Sequence, residues 1–93
     1  GSITIDEGCT KAVLHHGASI LPAGIIEVDG SFEPGDTVSI IAKGKEIARG
    51  LVNYSSTDLL KIKGHNTQDI ARVLEIDTTY DEVVHRNNLV IIH

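Results

Sequence analysis

The chain has 93 residues, 41% of them apolar, and 8 basic against 13 acidic side chains give it a formal charge of −5. A length of this order holds one hydrophobic core, so residues 1–93 read as a single domain. The acidic balance repels a phosphate backbone at long range, and nucleic-acid binding would need a local basic patch. No apolar run approaches the roughly 18 residues of a membrane-spanning helix, and the N-terminus lacks the basic-then-apolar order of a signal peptide. Cys9 is the only cysteine, which rules out an intrachain disulfide and suits a reducing, cytoplasmic setting.

The apolar content rests on Ile, Val, Leu and Ala, since Phe32, Tyr54 and Tyr80 are the only aromatic residues and Trp and Met are absent. Such β-branched composition favours packed strands with few helices. Residues 2–5 alternate as a strand. Asp6 and Glu7 then open a helix: Asp6 caps the free N–H groups of its first turn and Glu7 suits the positive end of its dipole. Cys9, Ala12, Val13 and His16 recur at spacings of three and four along one face, and Gly17 ends the helix as a left-handed cap.

A link carrying Pro22 and Gly24 leads to a strand at 25–28, and a loop with a Pro34-Gly35 turn leads to another at 38–42. Lys43-Gly44-Lys45 reverses that strand into 46–54 as a hairpin. Within it Gly50 permits a bend or bulge, and Arg49 alternates outward into water. Ser55 or Ser56 can cap the next helix, and Ser55 with Asp58 has the spacing of a capping pair; Leu59, Leu60 and Ile62 are its apolar members and Gly64 its stop. Asn66 and Asp69 repeat the pattern ahead of a helix at 67–75 that buries Ile70, Val73 and Leu74. Residues 77–81 read as loop, Arg86-Asn87-Asn88 as a turn, and 89–92 as a closing strand. The order implies an α+β fold, a small mixed β-barrel or curled sheet flanked by short helices.

Chemical motifs are sparse. Gly44-Lys45 superficially suggests a phosphate-binding loop, but Ser39 stands where the first glycine is required and Glu46 where Ser or Thr is required. His15 and His16 diverge by about 100° on a helix and cannot easily share an ion. No Cys-x-x-Cys or i, i+4 His pair supports zinc, so the five histidines read as structural or surface groups. Cys9 lies on the apolar helix face and reads as a buried, inert thiol. Asp6 and Glu7 are adjacent, a poor arrangement for converging on one substrate atom, and helix capping is the simpler account of both.

Five stretches carry a resemblance: Ile5-Asp6-Glu7-Gly8-Cys9, Ser19-Ile20-Leu21-Pro22-Ala23-Gly24-Ile25, Phe32-Glu33-Pro34-Gly35-Asp36-Thr37-Val38, Ile47-Ala48-Arg49-Gly50-Leu51-Val52-Asn53-Tyr54-Ser55-Ser56 and Glu82-Val83-Val84-His85-Arg86-Asn87-Asn88-Leu89-Val90. Together they resemble the C-terminal PUA domain of bacterial glutamate 5-kinases, a domain type also found in pseudouridine synthases and archaeosine transglycosylases. The resemblance implies a PUA pseudobarrel attached to an amino-acid kinase domain of the same chain. That domain would use ATP and magnesium to phosphorylate the side-chain carboxylate of glutamate and so open proline biosynthesis. The 93 residues would then be a fragment without the kinase domain, holding no cofactor and no catalytic residue of their own. Cys9 departs from the small alanine more usual in the family.

The resemblance also implies where a partner would bind. In PUA domains that bind RNA, the groove lies by the loop after the first helix, here Leu21, Pro22, Ala23 and Gly24, whose backbone groups would meet phosphate or base. With the basic residues Arg49, Lys61, Lys63 and Arg86 these are the candidate contacts for RNA or for a protein partner. Two readings follow: a non-catalytic accessory domain that takes part in assembly or regulation of the kinase, including its homo-oligomers, or an RNA-binding module. The acidic total and the lack of evident aromatics for base stacking weigh against the second.

Overall fold

The computed structural model describes residues 1–76 and 80–92. Five strands form one mixed sheet: β1 (Ser2–Ile5), β2 (Ile25–Asp29), β3 (Thr37–Ala42), β4 (Lys45–Leu51) and β5 (Leu89–Ile91), in the spatial order β2-β1-β3-β4-β5. β1 runs antiparallel to β2 and parallel to β3. The β3–β4 and β4–β5 pairs are antiparallel. The fold is α+β as expected, but the sheet is not closed into a barrel: among the described residues its edge strands β2 and β5 do not pair with each other.

Among the described residues three short helices pack with the sheet: α1 (Glu7–His16), α2 (Ser56–Ile62) and α3 (Ile70–Leu74). The ends of α1 are set by its own sequence. The Asp6 carboxylate accepts the Cys9 N–H at 2.7 Å, and Gly17 closes the helix at φ 60° with its N–H on Ala12 O. A left-handed residue at that position suits glycine because a β-carbon would crowd the backbone. Ser55 caps α2, its hydroxyl accepting the Asp58 N–H at 3.2 Å. The expected helix at 67–75 is divided into a 3-10 turn at Thr67–Asp69 and the five residues of α3. Asn66 makes no side-chain cap there, and Glu75 ends the helix at φ 57°. The loop expected at 77–81 lies mostly outside the described residues, which include only Tyr80 and Asp81 of it.

The β3–β4 hairpin turns on Lys43 and Gly44, at φ 52° and 74°. Positive φ at both central residues matches the two-residue turn whose twist follows that of the strands. The pairing steps from Ile40 opposite Ala48 to Ile41 opposite Glu46, so Ile47 is the bulged residue. Gly50 has a different task from the bend expected of it. A β-carbon there would stand 2.5 Å from Val84 Cγ1 and 2.9 Å from Asn88 O, so glycine lets the chain before β5 lie directly on β4. A second bulge at Ile26, between Thr4 opposite Glu27 and Ile5 opposite Ile25, leaves the Ile26 side chain in solvent.

One core joins sheet and helices. Ile3, Val38, Ile40 and Ala48 meet Leu59, Ile62 and Ile70 from α2 and α3, together with Ile20, Val83 and Val84 from the connecting segments. Burying an aliphatic side chain of this kind stabilises by about 1.5–3 kcal/mol. Ile20 and Val84 also pair through backbone, with Ile20 N–H on Val84 O at 2.9 Å and Val83 N–H on Ile20 O at 2.7 Å. This bridge fixes the segment after α1 against the segment before β5.

Candidate functional site

The link after α1 folds as a 3-10 turn over Pro22–Gly24, begun by the fixed φ of Pro22. It lies against the first turns of α1, and between them runs a groove of about 370 Å³. Gly8, Cys9 and Ala12 form its helical wall, while Leu21, Ala23 and Gly24 form the other. Gly24 is what brings the walls together: a β-carbon on it would meet Cys9 Cβ at 2.7 Å and Cys9 Sγ at 2.9 Å. The Asp6 N–H donates to Gly24 O at 2.9 Å, so the helix cap and the turn are one unit.

The groove is mainly apolar. Leu21 is 44% exposed and Ala23 is also exposed, whereas Pro22 points into the core. Asp6 is its only ionisable carboxylate, and that group is engaged with the Cys9 amide. Burial, and after it the charge of Asp6, pushes the Cys9 thiol up from 9.0 to about 11, against a backbone hydrogen bond at Leu21 that pulls it down. A half-buried thiol so disfavoured as a thiolate is a poor nucleophile.

The backbone of Gly24 differs from what the sequence suggests. Its N–H donates to Leu21 O at 3.1 Å and its carbonyl accepts from Asp6, so both groups are already used inside the fold. Leu21 and Ala23 therefore offer apolar surface, and Gly24 offers a close approach.

Two of the basic candidates reach this region through the backbone. Gly64 N–H donates to Pro22 O at 2.8 Å, which places the end of α2 and Lys63 beside the 3-10 turn, with the exposed Lys61 on the helix just before. Arg86 N–H donates to the hydroxyl of Ser19, a groove residue, at 2.8 Å. Neither link is readable from sequence, because each joins residues far apart in the chain.

Arg49 stands elsewhere. It lines a shallow depression of about 320 Å³ with Leu51, Asn87 and Val90. Its guanidinium grips Glu46, Nε to Oε2 at 3.0 Å and Nη2 to Oε1 at 3.2 Å, and the Ser39 hydroxyl donates to the same carboxylate at 2.5 Å. Arg49 is thus exposed, as its alternation in β4 implies, and already paired.

Gly44-Lys45 belongs to the hairpin turn and start of β4 and leads into no helix, so the residues that superficially suggest a phosphate loop do not form one. Among the described residues no cluster of three or more His, Cys, Asp or Glu side chains is placed to hold a metal ion. None of their helices is long and apolar enough to cross a membrane.

Sheet order, capped first helix and the groove behind it define a small α+β domain of the PUA type. Two solved structures share that fold: a conserved PUA domain protein from Thermoplasma acidophilum, with TM-score 0.64 and 22% identity over 98% of this chain and 46% of that one, and a PUA domain from Aeropyrum pernix K1 in a tartrate complex, with TM-score 0.62 and 24% identity over 92% of this chain and 42% of that one. The sequence model of the PUA domain family matches residues 1–74, and the chain belongs to that family. It is 50% identical over 93 residues to a glutamate 5-kinase of Caldanaerobacter subterraneus subsp. tengcongensis, covering 99% of this chain and 25% of the relative. It is 54% identical over 92 residues to a glutamate 5-kinase of Dictyoglomus turgidum, covering 98% and 24%. The chain spans about a quarter of the length of the relatives it matches.

Proposed function

We propose that the chain is the PUA domain of a glutamate 5-kinase and serves it as a non-catalytic accessory and regulatory domain. The kinase domain of the same polypeptide would carry out the ATP-dependent, magnesium-assisted phosphorylation of glutamate that begins proline biosynthesis in the cytoplasm. The observation that carries this reading is the 50% identity to a glutamate 5-kinase along 99% of the chain. The groove supports it further. Apolar walls at Leu21, Ala23 and Cys9 suit a protein surface, and among the described residues no basic side chain lines the groove to hold phosphate. Deleting the residues equivalent to 1–93 from a full-length glutamate 5-kinase tests it. Turnover of glutamate and ATP is retained, while the oligomeric state by light scattering or the inhibition by proline changes. Unchanged assembly together with unchanged inhibition overturns the reading.

The second reading, an RNA-binding module, draws on the backbone hydrogen bonds of Gly64, next to Lys63, with Pro22 and of Arg86 with Ser19. Titration of the chain with structured RNA at two salt concentrations separates the two. A steep fall in affinity with salt marks phosphate contacts, and no binding at low salt removes the RNA reading.

A further inference from the structure

A second cleft, of about 390 Å³, lies where the start of α1 faces the β3–β4 hairpin. Lys11, Lys43 and Lys45 line it, so three of the chain's eight basic residues meet at one place in a protein of net charge −5. Lys43 and Lys45 make no ion pair and no side-chain hydrogen bond among the described residues. Glu46, next to them in the chain, is occupied by Ser39 and Arg49, and Glu7, which lines the cleft with the three lysines, is engaged with Lys11. Lys11 meets Glu7 at 3.5 Å with the two side chains 68% and 66% exposed, a pair weak enough for a stronger anion to displace.

Two further features bear on what fits. Ala42 and Ile47 supply an apolar lining beneath the amines. Lys43 is held at φ 52°, a left-handed conformation that Gly or Asn adopts at lower cost, so the turn projects a cation from a position where it is not the natural turn former. Among the described residues no aromatic side chain lines the cleft for base stacking, and its volume is that of a small-molecule site.

We propose that this cleft binds a small organic polyanion, a short carbon frame bearing two or three carboxylate or phosphate groups. Lys43, Lys45 and Lys11 take the charged groups as point charges, and Ala42 and Ile47 receive the carbon frame. The site is separate from the groove at Leu21 and Gly24 and does not rest on the glutamate 5-kinase reading.

The test is a titration of the ¹⁵N-labelled chain, at fixed ionic strength, with propane-1,2,3-tricarboxylate and separately with inorganic pyrophosphate. Expected are saturating amide shifts at Thr10, Lys11 and residues 42–47. The Lys43→Gln/Lys45→Gln double variant weakens binding about tenfold, while Lys61→Gln/Lys63→Gln leaves it unchanged and both spectra report an intact fold. Saturation by either probe carries the proposal, and the tighter of the two identifies the acid group. Non-saturating shifts reproduced by sodium chloride, equal loss in the two double variants, or shifts centred on residues 21–24 overturn it.

Discussion

A β-carbon on Gly24 would stand 2.7 Å from Cys9 Cβ, so helix α1 and the 3-10 turn touch at a point that admits no side chain from the turn. Both contacting atoms belong to a short side chain held to the helix, and relief requires the helix to move. Gly24→Ala is expected to cost about 1–3 kcal/mol, the usual range for overpacking. Cys9→Gly costs about 0.3–0.5 kcal/mol by helix propensity, since cysteine itself ranks below alanine, plus the packing of its half-buried side chain against the core. Combined, the two changes cost less than their sum, because the second removes the atoms struck by the first. Urea denaturation of the four proteins checks this, and simple additivity would show that the contact does not limit the turn.

The same packing governs the chemistry of Cys9. With its thiol raised to about 11 by burial and by Asp6, it reacts slowly with iodoacetamide near neutral pH, and the native-state rate climbs only as pH approaches that value. The unfolded chain titrates near 9.0. Between these values the native state binds more protons, so this group's contribution to stability is full below about pH 9 and is lost as pH rises toward 11. Comparing the denaturation midpoint of the native sequence with that of Cys9→Ala between pH 8 and 11 isolates the effect: the gap between them shifts against the native sequence as pH rises.

Tyr54 secures the segment before Val83. Its hydroxyl donates to Tyr80 O at 2.5 Å and accepts the Tyr80 N–H at 2.9 Å, and the rings meet edge to face with centroids 6.3 Å apart. Tyr54→Phe keeps the ring and removes the hydroxyl that serves both bonds. The expected loss is about 1–3 kcal/mol, accompanied by faster hydrogen exchange at the Tyr80 amide. Exchange unchanged at Tyr80 would mean that the hydroxyl does not anchor the segment.

Features set by near neighbours in the chain are legible in the amino-acid sequence itself. Asp6 and Gly17 mark the ends of α1, Lys43-Gly44 marks the hairpin, and Ser55 marks the start of α2, since each acts on backbone groups within a few residues. Gly50 stands out as a special position, but its reason lies in Val84 and Asn88, which only tertiary pairing brings to it. The parallel pairing of β1 with β3 and the bulges at Ile26 and Ile47 are likewise settled by partners distant in sequence. At the site, the link containing Leu21 and Gly24 is singled out by the family resemblance of its residues and not by their chemistry, and the internal use of the Gly24 amide is not legible at all. Lys63 and Arg86 are unrelated along the chain, and the Gly64–Pro22 and Arg86–Ser19 hydrogen bonds carry them to the groove. The lysines of the second cleft read only as a turn and a helix surface, because the hairpin must fold against α1 for their charges to add.

Arg49 and Glu46 supply a pH-dependent signature on the exposed face of β4. Hydrogen bonds from the Arg49 guanidinium and then the Ser39 hydroxyl hold the Glu46 carboxyl below its usual 4.5. A lowered carboxyl pKa means that the unfolded state binds more protons in the acid range. The contribution to stability is therefore present above about pH 4.5 and is lost as pH falls through the native-state value. Because the pair lies in solvent, the energetic effect is small and salt-sensitive, and the titration itself is the better readout. NMR titration of the Glu46 side-chain carboxyl is expected to show a midpoint below 4.5 in the native sequence and a rise in Arg49→Gln, with a smaller rise in Ser39→Ala. An unchanged midpoint in Arg49→Gln would show that the guanidinium does not hold the carboxylate in solution. Arg49 would then be a free cation beside Leu51 and Val90, available to a partner without first giving up Glu46.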